Sequence, residues 1–125
     1  MVARVQNNGL ARITTLLAAA SWWLQWGTGS AAAAAANVVT TTTTTEARAV
    51  ATPTQGTTTV TNDKLILTGT LTAAGTRAIT EVGSFDAVGS GSPPTGGNMD
   101  MYGDFAVINL VSTDAVTFTL NTTFV

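Results

Sequence analysis

The sequence predicts a mainly β fold: a single β-sandwich or jelly-roll-like domain of about seven strands, with an N-terminal arm and a short helix. The first observation is a period of two in the apolar positions, clearest in Val116, Phe118, Leu120 and Phe124. The second is the recurrence of turn signals, such as Asn62-Asp63 and Ser112-Thr113-Asp114. Short strands separated by frequent turns are typical of antiparallel sandwiches and jelly rolls.

The strands are expected at 22–26, 38–45, 57–61, 64–72, 79–87, 99–109 and 116–124. Residues 47–56 contain Pro53 and are expected to form a loop or an edge segment, because proline cannot donate to a sheet. Residues 90–98 are rich in Gly, Ser and Pro and indicate a mobile or specialised loop. One core should bury Phe85, Phe105, Val116, Phe118 and Leu120.

We expect two parts, residues 1–21 as an arm with a short helix and residues 22–125 as the β domain. Leu10, Ile13 and Leu17 follow helical spacing. A single helix of about three turns is marginal in water, so it must dock on something. Because the β pattern starts at residue 22 and does not need the arm, we expect another chain to order the arm, with these three residues as anchors.

The composition excludes several kinds of site. The 125 residues include no Cys and no His, which removes disulfides, thiolate metal sites and the commonest general base. Five basic residues are scattered along the chain and the net charge is −2, so we expect no nucleic-acid partner. The apolar stretch at 16–26 is too short to span a membrane, which takes about 20 residues.

Charged residues make up only 10% of the chain, against about 25% in an ordinary soluble domain. Few charges give little protection against association. This composition is typical of a chain that buries part of its exterior against other subunits. Trp22, Trp23 and Trp26 are interpreted as core and interface residues; the alternative, a sugar-stacking platform, needs rings that are exposed and coplanar.

Four carboxylates lie in the best-patterned region: Glu81, Asp86, Asp100 and Asp104. Carboxylates can serve acid–base chemistry or bind calcium, but no loop has the required spacing. Glu81 shares a strand face with Ile79 and Phe85, so we expect a buried or half-buried structural carboxylate. Its partner should be an arginine, Arg77 or Arg48, or backbone N–H groups. We therefore expect a non-enzyme, with no catalytic residue, metal or cofactor.

Several segments carry a resemblance to a known group of proteins. In order they are WLQWGTGS ending at Ser30, Glu46-Ala47-Arg48, TVTNDKLILTGTLTAAGTRAITEVGSFDA ending at Ala87, a Gly-rich loop, and DFAVINLVSTDAVTFTLNTTF ending at Phe124. This order resembles small virion proteins of tailed bacteriophages over about residues 22–124. The resemblance implies a capsid cement (decoration) protein or a tail-associated component.

Three functions follow as hypotheses. The first is a cement protein on the capsid exterior, with the major capsid protein and sister copies as partners. The second is a tail or tail-fibre component that binds a host receptor, and the third is a carbohydrate-binding module without a virion role. For the first, the expected interface residues are Leu10, Ile13, Leu17, Trp22, Trp23 and Trp26.

Overall fold

The computed structural model describes residues 1–29, 40 and 44–125. Its elements are α1 (Asn7–Ala18), β1 (Trp22–Gly27), β2 (Ala49–Gly56), β3 (Lys64–Thr72), β4 (Arg77–Phe85), β5 (Met99–Leu110) and β6 (Ala115–Thr123). The prediction of a mainly β chain with a short N-terminal helix is confirmed. The strand expected at 38–45 falls mostly on residues outside the described ranges.

The six strands form one antiparallel sheet in the order β5-β4-β1-β2-β3-β6, and this sheet curls into a nearly closed barrel. The described residues therefore form one sheet instead of the two stacked sheets of the expected sandwich or jelly roll. Period-two alternation arises in both architectures, because each has one buried face per strand. The pattern alone does not distinguish them.

Of the two alternatives expected at 47–56, a loop or an edge segment, the structure excludes the loop, because β2 covers residues 49–56. Residues 49–51 pair with β1, and residues 52–56 pair with β3. Pro53 lies beyond the part that pairs with β1, where β2 has a strand neighbour on one side only. A missing N–H is tolerated at such a position.

The strand expected at 57–61 is instead a loop built around one carboxylate. Asp63 is almost fully buried and accepts hydrogen bonds from the backbone N–H groups of Thr58, Thr59 and Val60 at 2.7–3.0 Å. The Thr58 hydroxyl also donates to it at 2.7 Å. These donors would otherwise serve a sheet ladder, so the carboxylate converts a β-branched run into a turn.

The barrel core is centred on Trp22, Leu24 and Trp26 of β1, packed against Leu65 and Leu67 of β3. Phe85 is buried, as predicted, but it lies outside this core cluster, beneath the guanidinium group of Arg48. The other four predicted core residues, Phe105, Val116, Phe118 and Leu120, point inward but are only half-buried. Their parity is therefore as predicted, while their burial is incomplete.

Helix α1 docks on its own barrel, against β2 and β3. Leu10 is 7% exposed, and the buried Thr14 hydroxyl donates to the Asn62 carbonyl at 2.5 Å. The Gln55 amide donates to Thr14 Oγ1 at 2.8 Å, and the Trp22 indole N–H donates to the Leu17 carbonyl at 2.8 Å. These contacts correct the expectation that another chain must order the helix.

Candidate interaction site: the open seam

The barrel is open between β5 and β6, and we call this gap the seam. Within the described sheet, β5 pairs with β4 alone and β6 with β3 alone, so each strand has one edge that faces the gap. At one end, the turn between β5 and β6 is tied to Ala73, whose N–H donates to the Asp114 carbonyl at 2.8 Å. Farther along, the strands diverge around a groove of about 540 Å³.

Inward-facing apolar side chains border the groove at the seam. The groove is lined by residues that include Met101, Phe105, Phe118 and Leu120. The Phe105 and Phe118 rings pack together with centroids 5.7 Å apart, and Phe118 meets Trp26 edge-on at 6.5 Å. Three of the predicted core residues, Phe105, Phe118 and Leu120, are half-buried because the sheet does not close over them.

The β6 edge and the second half of the β5 edge lack the usual protection against pairing with another chain. Natural edge strands are commonly blunted by charged side chains, especially Lys, or by Pro. Strand β6 contains neither a charged residue nor Pro, and residues 105–110 of β5 also contain neither. Val107 and Val111 near the end of β5 are 54% and 59% exposed.

One part of the seam is acidic. Asp100 lines the groove, and partial burial together with the charge of Asp86 raises the pKa of its carboxyl group. Asp104 is exposed on β5, opposite Glu81 in the β4–β5 register. The residues that line the groove include no Lys or Arg. The groove therefore favours a ligand that carries a positive charge on its outer side.

Glu81 is fully buried, as predicted, and the Tyr102 hydroxyl donates a hydrogen bond to its carboxylate. Burial, followed by the hydrogen bond and the negative charge of Glu81, raises the pKa of Tyr102. The expected arginine partners are engaged elsewhere: Arg77 Nε donates to Glu46 at 2.8 Å, and Arg48 bonds to Gln25 and to backbone carbonyls. The burial is as predicted but its reason is not, because a register shift between Ile79 and Glu81 places Val82 in the core with Ile79.

Arg48 organises the loop that follows β4, a role that the sequence analysis missed. Its guanidinium donates to Gln25 Oε1 at 2.9 Å and to the carbonyls of Ala87 and Gly96 at 2.8 Å each. The group also stacks on the Phe85 ring, 3.6 Å from the centroid. Burial lowers the pKa of Arg48, although the nearby carboxylate of Asp86 opposes that shift.

The 86–98 loop is therefore fastened across the outer face of the sheet. Asp86 accepts from both the backbone N–H and the side-chain amide of Asn98 at 2.7 Å, which closes the loop at its base. The Gln25 amide donates to the Pro94 carbonyl at 3.2 Å. Gly83 allows this close packing, because a Cβ there would lie 2.6 Å from Met99 Sδ.

The expected interface residues are spread over different environments. Leu10, Trp22 and Trp26 are buried, with Trp22 and Trp26 at 5% and 1% exposure. Ile13, Leu17 and Trp23 are half-buried. Since two of the three tryptophans belong to the core, they do not form an exposed sugar-stacking platform.

Trp23 lies opposite Val50 across the β1–β2 pair. Val50 is 72% exposed, so this pair presents an apolar spot on the outside of the barrel. Leu16 on the outer side of α1 is 70% exposed. We call Trp23 and Val50 the outer pair.

The first six residues precede α1 without helix or strand structure and are exposed. Val2 and Val5 are 90% and 59% exposed. Arg4 and Val5 border a groove together with Phe124 and Val125, so the arm leaves the barrel beside the C-terminal end of β6. From here on, the arm means residues 1–6 alone, without the helix that the expected segment 1–21 included.

Within residues 1–29, 40 and 44–125, the acidic side chains do not form a cluster of three or more that could hold a metal ion. In the same part of the chain, no helix is long and apolar enough to cross a membrane. Comparisons with protein-family models, curated proteins and solved structures found no match to this chain.

Proposed function

We propose that this chain is a non-enzymatic structural protein of a tailed-bacteriophage virion, a cement protein bound to the capsid exterior. The observation that carries the proposal is the surface. The whole chain has 12 charged residues, while ten large apolar side chains of the described residues are exposed. Surfaces of this kind are typical of subunits whose working state is an assembly.

The resemblance of residues 22–124 to small phage virion proteins supports the virion setting. The docked helix and the Arg48-held loop support a rigid body, which suits a protein that reinforces a shell. In this proposal the outer pair, Trp23 and Val50, contacts the major capsid protein. An aromatic residue beside an exposed aliphatic one is a common centre of an interface.

The test uses phage particles stripped of the protein, to which purified chain is added back. Val50→Glu should reduce binding to the particles at least about tenfold, because a charge would be buried in an apolar contact. Thr72→Glu adds the same charge at another exposed strand position and serves as the matched control.

Wild-type protein and the control should restore full occupancy of the particle and its resistance to heat. Failure of the wild-type chain to bind capsids would overturn the proposal. Binding confined to tails would replace it with the tail or fibre role. Equal binding of both variants would retain the cement role but reject the outer pair as its contact.

A further inference from the structure

We infer that the seam binds the arm of a second copy of this chain, as an added strand between β5 and β6. This step goes beyond the cement role, since it concerns how copies join one another whether or not a capsid is present. It rests on two features of the same molecule. One is the gap between the edges of β5 and β6, and the other is the exposed arm, which has no helix or strand structure.

The seam has the properties of a strand-binding groove. Its two borders are strand edges, whose backbone N–H and C=O groups alternate in the sheet plane and form the main-chain contacts of an added strand. Its floor is apolar and half-exposed, with Phe105 and Phe118 at its centre. Strand β6 carries neither the charges nor the prolines that keep edge strands from pairing, while β5 carries Asp100 and Asp104.

The arm has the pattern that such a groove requires. In a strand, Met1, Ala3 and Val5 fall on one face, while Val2, Arg4 and Gln6 fall on the other. The first face is wholly apolar and suits the floor of the seam. Gln6, which precedes α1, already has extended backbone angles, φ −78° and ψ 163°.

Length and charge agree with this placement. Six extended residues span about 20 Å, so the arm can cover roughly two-thirds of the nine-residue strand β6. When the apolar face points inward, Arg4 points outward, on the side where Asp100 and Asp104 give the seam its negative charge.

A second copy is the favoured source of the arm. Within a single chain the arm lies outside its own seam, with Val2 90% exposed. The arm nevertheless starts beside the end of β6, where Arg4 and Val5 adjoin Phe124 and Val125. If two copies are arranged with their seams facing each other, the arm of each copy is therefore close to the seam of the other. Reciprocal exchange of this kind is a common route to dimers.

The experiment compares purified chains in which lysine is placed on either face of the arm. Val5→Lys puts a charge on the inward face, and Val2→Lys puts the same charge on the outward face. Sedimentation over a range of concentrations should show that wild type associates, that Val5→Lys weakens association at least about tenfold, and that Val2→Lys associates as well as wild type. Both positions are exposed in the single chain, so neither change should alter its folding.

Hydrogen exchange identifies where the arm binds. On association, the amides of the arm and the seam-facing amides of β5 and β6 should become protected together. A wild-type chain that stays monomeric at all concentrations overturns the inference, even if the arm is protected, because the arm would then occupy its own seam. Equal association of both lysine variants also overturns it. These experiments do not measure capsid binding. If the inference about the seam fails, the cement proposal therefore still stands.

Discussion

Glu46 offers the sharpest test of how the barrel end is held together, through the substitution Glu46→Gln. One carboxylate oxygen accepts from Arg77 Nε at 2.8 Å and from the Ala74 backbone N–H at 3.0 Å. The other lies 3.5 Å from the Trp26 indole nitrogen. The amide of glutamine keeps one acceptor but adds an NH₂ group that faces these donors. It also removes the charge opposite Arg77.

The magnitude follows from the pKa. Burial acts to raise the pKa of Glu46, but hydrogen bonds from Thr44, Ala74 and Arg77 outweigh it and bring the pKa from 4.5 to about 2. A shift of this size corresponds to about 3 kcal/mol of the free energy of unfolding, as an upper bound for a partly solvated group. Because the folded-state pKa is lowered, this contribution is complete above pH 4.5 and is lost as the pH falls through 2.

The assay is urea denaturation of wild type and Glu46→Gln at a series of pH values from 7 to 2. At pH 7 the variant should be less stable by up to about 3 kcal/mol, and the gap should narrow steadily below pH 4.5. Asp114→Asn, which changes an exposed turn carboxylate, is the control. A gap between wild type and Glu46→Gln that stays constant across this range would refute the reasoning.

Three other changes test separate features. Arg48→Lys should lower the free energy of unfolding by about 2–4 kcal/mol and speed amide exchange throughout the 86–98 loop, because one ammonium group cannot reach both loop carbonyls and Gln25. Unchanged exchange would show that Arg48 does not hold the loop. Thr113 has φ +78°, a strained value for a β-branched residue, so Thr113→Gly should raise the free energy of unfolding by about 1 kcal/mol in denaturant titrations. Phe118→Ala should destabilise by about 3 kcal/mol, the lower end of the range for a core Phe, because the ring is only half-buried; a loss under 1 kcal/mol would mean that the ring contributes little to the core.

The sequence predicted the features that depend on local pattern. The period of two in β6 placed Val116, Phe118 and Leu120 on the inward face, and helical spacing predicted α1. The turn at Ser112-Thr113-Asp114 is also confirmed. These predictions succeed because side-chain direction follows directly from the backbone period.

The misses involve contacts between residues far apart in the chain. Pro53 left a loop and an edge segment as alternatives, because the sequence does not show that the β1–β2 pairing stops at Ala51. The β-branched run at 57–61 suggested a strand because the sequence does not show that Asp63 captures its N–H groups. Arg48 joins β1 to two points of the 86–98 loop, 39 and 48 residues away. Such partners are set by the fold.

The sequence could not predict the seam, for a related reason. Alternation identifies the inward face of each strand, but it is the same whether the edge of that strand is paired or open. The half-burial of Phe105 and Phe118 therefore required the sheet order. The absence of charge along Ala115–Thr123 is the one sequence signal of an edge that can pair with another strand.

Imaging of the intact virion by electron cryomicroscopy tests the central claim most directly. The account predicts ordered copies of the barrel repeated over the exterior of the capsid shell, in contact with the major capsid protein. In those copies, an extra strand should fill the seam between β5 and β6. Copies confined to a single vertex or to the tail, or particles without this chain, would contradict the cement role.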